Sequence, residues 1–131
     1  MNITFIGMLT SVVLFFVLGM IWYGLIFGKV WKKETKRTKK EKTGSGMILV
    51  ALFLGLVMSL GANFIVGLAG ETTFLGGMLA GLIPGSLIAA PVIMGEWIWD
   101  KKSVKLVVIN TIFYEIYFVL ISGFLAVLNQ L

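Results

Sequence analysis

Four long apolar runs separated by short polar stretches organise the chain, at roughly 3–27, 47–69, 73–94 and 104–128. Crossing the hydrocarbon core of a bilayer as a helix takes about 20 residues, so each run is long enough for one pass. A helix also pairs its own backbone N–H and C=O groups where no water is available to do so. The strict apolar and polar alternation of a membrane-spanning strand is absent, which excludes a barrel. The pattern therefore predicts an all-α integral membrane protein, a four-transmembrane-helix bundle forming one domain over 1–131. The first run has no basic residue before it and no small-residue cleavage pattern after it, so it reads as a helix of the mature protein and not as a removed signal.

Composition agrees, with 59% hydrophobic and 13% charged residues. Cysteine and histidine are both missing, which removes disulfides, thiolate metal sites and imidazole chemistry together. Scattered carboxylates, hydroxyls and tyrosines remain, without a constellation of nucleophile and base. The expectation is a protein that is not an enzyme and carries no metal and no cofactor.

The charges set a topology. All 11 Lys and Arg residues fall in two connections: Lys29, Lys32, Lys33, Lys36, Arg37, Lys39, Lys40 and Lys42 after run one, and Lys101, Lys102 and Lys105 around the turn between runs three and four. With an even number of crossings between them, the two connections share a side, and the positive-inside rule assigns that side to the cytoplasm. The expected protein is thus multi-pass in the cytoplasmic (inner) membrane with both termini outside. Trp22, Trp31, Trp97 and Trp99 cluster near the same boundary, where an indole is favoured. The net charge of +5 then reflects topology; no nucleic-acid recognition module accompanies it.

The first basic connection, 29–46, ends on Thr43-Gly44-Ser45-Gly46, a flexible hinge. Within it Lys32, Lys33, Lys36, Arg37, Lys39 and Lys40 are offset only by Glu34 and Glu41. Near anionic lipids each basic residue contributes about 1 kcal/mol of attraction. The segment is read either as a solvated loop that orients the protein or as a contact for anionic lipid or a protein partner.

Runs two and three carry small residues four apart: Ala51, Gly55, Ser59, Asn63 and Gly67 on one, Gly77, Gly81, Gly85 and Ala89 on the other. Such ladders let helix backbones approach closely in lipid, where association depends on contact and not on water exclusion. The two runs are expected to pack through these faces, with Pro84 and Pro91 kinking the third.

Glu115 is the sharpest chemical feature. It stands almost at the middle of run four, and no Lys or Arg lies within any apolar run. A charge at that depth costs about 2.5–3.5 kcal/mol on insertion scales, so the side chain is expected to face protein or water. Thr111, Glu115, Ser122 and Asn129 share one helical face, pointing inward or toward a second subunit. Two readings follow. In one, a protonated carboxyl hydrogen-bonds neighbouring helices for about 0.6 to 2 kcal/mol. In the other, the carboxyl exchanges a proton as a solute or cation binds, making the protein a proton- or cation-coupled small-solute carrier. Asn63, Asn110 and Tyr114 are the further ligand candidates; Asn63 lies outward of the midplane and Asn110 on its cytoplasmic side, so that either needs tilt or water to reach Glu115, and interhelical hydrogen bonding is the role expected of these two. Glu96 and Asp100, beside Lys101 and Lys102, read as a solvated charge cluster. A homodimer is expected, because four thin helices scarcely enclose a pathway. The alternative function is a non-transporting scaffold or regulator that works through its basic loop.

At Gly19-x-x-Trp22-Tyr23-Gly24-x-x-Phe27-Gly28-Lys29-x-Trp31 the sequence resembles the domain of unknown function 1761 family, a set of small bacterial and archaeal membrane proteins. The resemblance extends to the aromatic-then-Lys connection before run four and to Asn110 with Tyr114. Leu25 stands where that family often has proline. The resemblance implies the four-helix fold and carries no activity or ligand residue; the motif Trp22, Tyr23, Phe27, Gly28, Lys29 and Trp31 is read as an interfacial anchor. In length and in having a membrane carboxylate the chain is also similar to small multidrug resistance transporters, which work as dimers, but their carboxylate is on the first helix.

Overall fold

The structure is a computed structural model that describes residues 2–35 and 44–131. Lys36, Arg37, Lys39 and Lys40, named above as lipid or partner contacts, lie outside the described residues. Four spans long and apolar enough to cross a membrane are present: Phe5–Ile26, Ser45–Ala69, Phe74–Trp99 and Val104–Leu128. The protein is an all-α, multi-pass membrane protein.

The first span is α1 (Phe5–Met20), continued by a π-helical turn at Ile21–Ile26. A short amphipathic helix, α2 (Gly28–Thr35), follows it. The second span is α3 (Ser45–Ala69). The third divides into α4 (Phe74–Leu82), a π-helical segment Ile83–Ala89 and α5 (Ala90–Trp99). The fourth is α6 (Val104–Leu128).

Local chemistry accounts for most of these boundaries. Thr4, Thr73 and Ser103 cap α1, α4 and α6, their hydroxyls accepting from the N–H groups of Gly7, Gly76 and Leu106 at 3.0–3.2 Å, as the free donors of a first turn require. At its other end α3 stops on Gly70, at φ 66°, a left-handed position that glycine takes without a Cβ penalty. The third span runs to Trp99, past the boundary expected at 94, because Gly95 and Glu96 remain helical. It ends where Lys101 turns left-handed (φ 53°) and the Lys102 N–H returns to the Glu96 carbonyl at 3.3 Å.

The expected kink in the third span takes the form of the π segment. Pro84 lacks the N–H that Ala80 O would receive in an α-helix, and Ile83 N–H reaches that carbonyl instead. At the far end of the segment the Ala90 N–H bonds Gly85 O, five residues back.

Packing is centred on α6, which touches all three other spans and is buried at intervals from Leu106 to Ala126. Ala62, Tyr117, Ile121 and Leu125 form the core, with Leu14, Phe15, Leu18, Met58 and Phe118 around them. The glycine ladders do not meet each other as expected. A Cβ on Gly77 or Gly81 would press on the backbone of α6, at the carbonyls of Ser122 and Phe118 respectively. A Cβ on Gly123 of α6 would in turn stand 2.8 Å from Met78 Cγ. Gly55 faces the first span, where a Cβ would stand 3.6 Å from the Phe15 ring, and the Ser59 hydroxyl lies 3.2 Å from Met8 Sδ. Four-residue spacing marks a face as narrow without naming its partner; α6 receives the third span because it offers a matching narrow face at Ser122, Gly123 and Ala126.

Forcing side chains into this seam should cost about 1–3 kcal/mol each, the usual penalty for overpacking. Gly77→Val and Gly81→Val are therefore expected to lower unfolding stability in mixed micelles by that amount. Gly61→Val, with nothing within 4 Å of its built Cβ, is expected to change little. Equal losses at all three positions would contradict the α4–α6 seam.

Candidate functional site

Polar side chains gather at three depths of the bundle. Its two ends are distinguished here as the basic end, where α2 and the 100–103 turn lie, and the terminal end, where both chain termini lie.

At mid-depth the Glu115 carboxyl rests on the π segment of the third span. The Ser86 hydroxyl donates to its Oε1 at 2.8 Å. A Cβ on Gly85 would stand 2.7 Å from Oε2 and 2.9 Å from Cδ, so a larger residue there would make the carboxyl shift. The carboxyl thus lies beside two consecutive residues, in a segment whose turn is wider than that of an α-helix; such π turns recur at functional positions. Glu115 is half-buried and Ser86 exposed. The pair opens on the outside of the bundle among exposed Leu82, Ile83 and Leu87. An ionised carboxylate accepts about four hydrogen bonds, and Ser86 supplies one.

The rest of the polar stripe on α6 is divided. Ser122 and Asn129 are buried, while the Thr111 hydroxyl returns to its own helix at Val107 O, 2.7 Å away. Asn63 belongs to the terminal end. Its Oδ1 accepts from Asn129 Nδ2 at 2.6 Å and its Nδ2 donates to Ser59 O at 3.0 Å. The Thr4 hydroxyl completes the group by donating to Asn129 Oδ1 at 3.2 Å. This network ties the first, second and fourth spans together and does not include Glu115.

The basic end holds the motif of the first span. Trp22 Nε1 donates to Ile109 O at 3.0 Å and the Tyr23 hydroxyl donates to Asn110 Oδ1 at 2.7 Å. The π turn brings these neighbouring residues to neighbouring positions of α6. It closes with Phe27 N–H on Trp22 O at 2.9 Å, and the Trp22 and Phe27 rings lie 4.7 Å apart. Gly28 then starts α2 so close to the turn that a Cβ would stand 3.2 Å from Tyr23 O. This places Trp31 against Tyr23, with ring centroids 5.7 Å apart, and leaves Lys29, Lys32 and Lys33 exposed. The motif is thus more than an interfacial anchor: its polar atoms clamp the first span onto α6. Trp97 and Trp99 are mostly exposed, as residues anchored at an interface would be.

Between these elements lies a cleft of about 310 Å³ lined by Tyr23, Trp31, Ile93, Glu96, Lys102, Asn110 and Tyr114. At its edge Lys102 Nζ meets Glu96 Oε2 at 2.8 Å, the one ion pair among the described residues. Asn110 and Tyr114 therefore belong with the motif and not with Glu115. Sequence reasoning set Glu96 aside as a solvated charge; the signal it lacked was the left-handed turn at Lys101, which folds Lys102 back over the helix end.

These features define a four-span integral membrane protein with a carboxyl at mid-depth and an aromatic, polar cleft at its basic end. The chain belongs to the family described as "Protein of unknown function (DUF1761)", which matches residues 6–126. The match takes in the motif, the π segments and Glu115. No curated protein and no solved structure matches the chain.

If Tyr23 and Asn110 hold the first span through their hydrogen bond, Tyr23→Phe and Asn110→Ala should be non-additive. A double-mutant cycle on unfolding stability is expected to give a coupling of about 0.6 kcal/mol and not above about 1.7, the range seen for hydrogen bonds between membrane helices. Strict additivity would show that the bond contributes nothing.

Proposed function

We propose that the protein is a proton- or cation-coupled carrier of small solutes, working as a homodimer around Glu115, with the basic end cytoplasmic and both termini outside. The observation that carries this reading is the Glu115–Ser86 pair at mid-depth on the outer seam of the third and fourth spans. A carboxyl with one hydrogen bond, flanked by exposed leucine and isoleucine, is costly against lipid. A second copy on the same face would bring two carboxyls together across an interface, where a proton or cation can be exchanged between them and a solute. The close seat of the carboxyl against Gly85 in the π segment supports the reading, because π turns recur at functional positions.

The scaffold or regulator reading draws on α2. Its exposed Lys32 and Lys33 lead into the basic stretch, a composition suited to anionic headgroups. It requires no titrating group in the membrane, and this separates the two readings experimentally.

In proteoliposomes holding a pH gradient, wild type is expected to dissipate the gradient when a transported cation is supplied from a panel of cationic and neutral solutes, and Glu115→Gln to lose that flux. Flux retained by a folded Glu115→Gln protein would end the carrier reading. Flux absent from wild type would favour the scaffold. The chain lacks cysteine, so single cysteines report the interface cleanly. Leu87→Cys, beside Ser86, is expected to form disulfide-linked dimers in membranes, whereas Leu60→Cys on the second span is not. The reverse pattern would place any dimer contact elsewhere.

A further inference from the structure

The cleft at the basic end has a composition of its own. Three aromatic side chains, Tyr23, Trp31 and Tyr114, line it together with one carboxylate, one amide and one ammonium group. A calcium ion takes about six to eight oxygens, more than a single carboxylate and its neighbours supply. An anion would meet Glu96. A monovalent organic cation suits the set, because aromatic rings attract a cation within about 6 Å of their centres and a carboxylate neutralises it.

Lys102 already places a cation there. The left-handed turn at Lys101 and the bond from Lys102 N–H to Glu96 O lead its chain back over the end of α5, and its ammonium reaches Glu96 Oε2 at 2.8 Å. The two side chains are 40% and 32% exposed, so the ion pair is of the solvent-screened kind and holds weakly. A free cation therefore meets a weak competitor. The cleft, at about 310 Å³, lies at the small end of ligand sites, which run from about 300 to 1,000 Å³.

We infer that this cleft binds a small organic ammonium ion between Tyr23, Trp31 and Tyr114 with its charge on Glu96, and that Lys102 occupies the carboxylate as a tethered placeholder until the ligand displaces it. The site is separate from Glu115 and does not depend on transport.

The test is calorimetric titration of the full-length protein in lipid nanodiscs with benzyltrimethylammonium, which requires no flux. Saturable binding by wild type is expected. Glu96→Gln should weaken it roughly tenfold or more, equivalent to about 1.4 kcal/mol or above. Lys102→Met should tighten it by removing the internal competitor. Glu71→Gln, which removes an equal charge at the opposite end, should leave it unchanged. The uncharged isostere of the ligand, with carbon in place of nitrogen, should bind far more weakly. Thermal unfolding of each variant establishes that it is folded. The inference is overturned if wild type shows no saturable binding, if folded Glu96→Gln binds as wild type does, if the neutral isostere binds equally, or if Lys102→Met binds more weakly.

Discussion

Backbone contact between the third and fourth spans is the constraint on which the rest of the structure depends. Lipid tails are as apolar as leucine, so a membrane helix gains little by hiding apolar side chains and must gain by close approach. Gly77 and Gly81 bring α4 onto the carbonyls of Ser122 and Phe118, while Gly123 admits Phe74 and Met78 from the other side. With one face of α6 filled this way, the faces left for the first and second spans are those carrying Tyr117, Ile121 and Leu125. The same contact sets the position of Glu115, which precedes Phe118 by about one turn along α6 and meets the third span one turn beyond Gly81, at Gly85.

Hydrogen bonding then fixes what packing leaves loose. Each of the polar pairs joins elements far apart in sequence: Asn63 to Asn129, Thr4 to Asn129, Tyr23 to Asn110 and Trp22 to Ile109. All of them end on α6 or on its C-terminal cap, so that helix is held at both ends by polar contacts and along its middle by close packing. Ser122 Oγ, buried in the glycine seam, has no partner among the described residues. The close approach there leaves no space for a partner, and a small residue is what the site needs.

Much of this was legible in the sequence, for a physical reason. A bilayer imposes length and hydropathy so strongly that four runs give four spans, and the second, third and fourth were placed within about one turn of their ends apart from the extension to Trp99. Gly55, Ser59, Gly77, Gly81 and Gly85 were recognised as packing residues from their spacing alone. Their partners were not, because the complementary face of α6 is built from Ser122, Gly123 and Ala126, a cluster without a ladder's regular interval. The π segments escaped notice for a similar reason. Pro84 and Pro91 signal an interrupted ladder but not whether the helix bends or widens, and nothing in Ile21–Ile26 departs from ordinary helical composition. The interhelical hydrogen bonds expected of Asn63 and Asn110 are present, but the cleft beside Asn110 is not legible in the sequence because it is assembled from several elements.

The seam between the third span and α6 therefore carries two carboxyls in different settings. Glu115 lies at mid-depth with a hydroxyl and a glycine; Glu96 lies at the basic end with a lysine. About 15 Å of helix, at 1.5 Å per residue, separates Ser86 from Glu96, and the π segment Ile83–Ala89, which holds Pro84, begins just before that interval. Prolines at 84 and 91 remove two N–H donors from the third span beyond α4, each of which would otherwise bond a carbonyl four residues back. Lys102 meets Glu96 near one end of α5; Ser86 makes the one hydrogen bond to the Glu115 side chain among the described residues. The glycines at 77 and 81 seat α4 on α6, and both missing donors fall beyond Leu82, between that close contact and Glu96, so the two carboxyls lie along the part of the third span that the glycine seam does not reach.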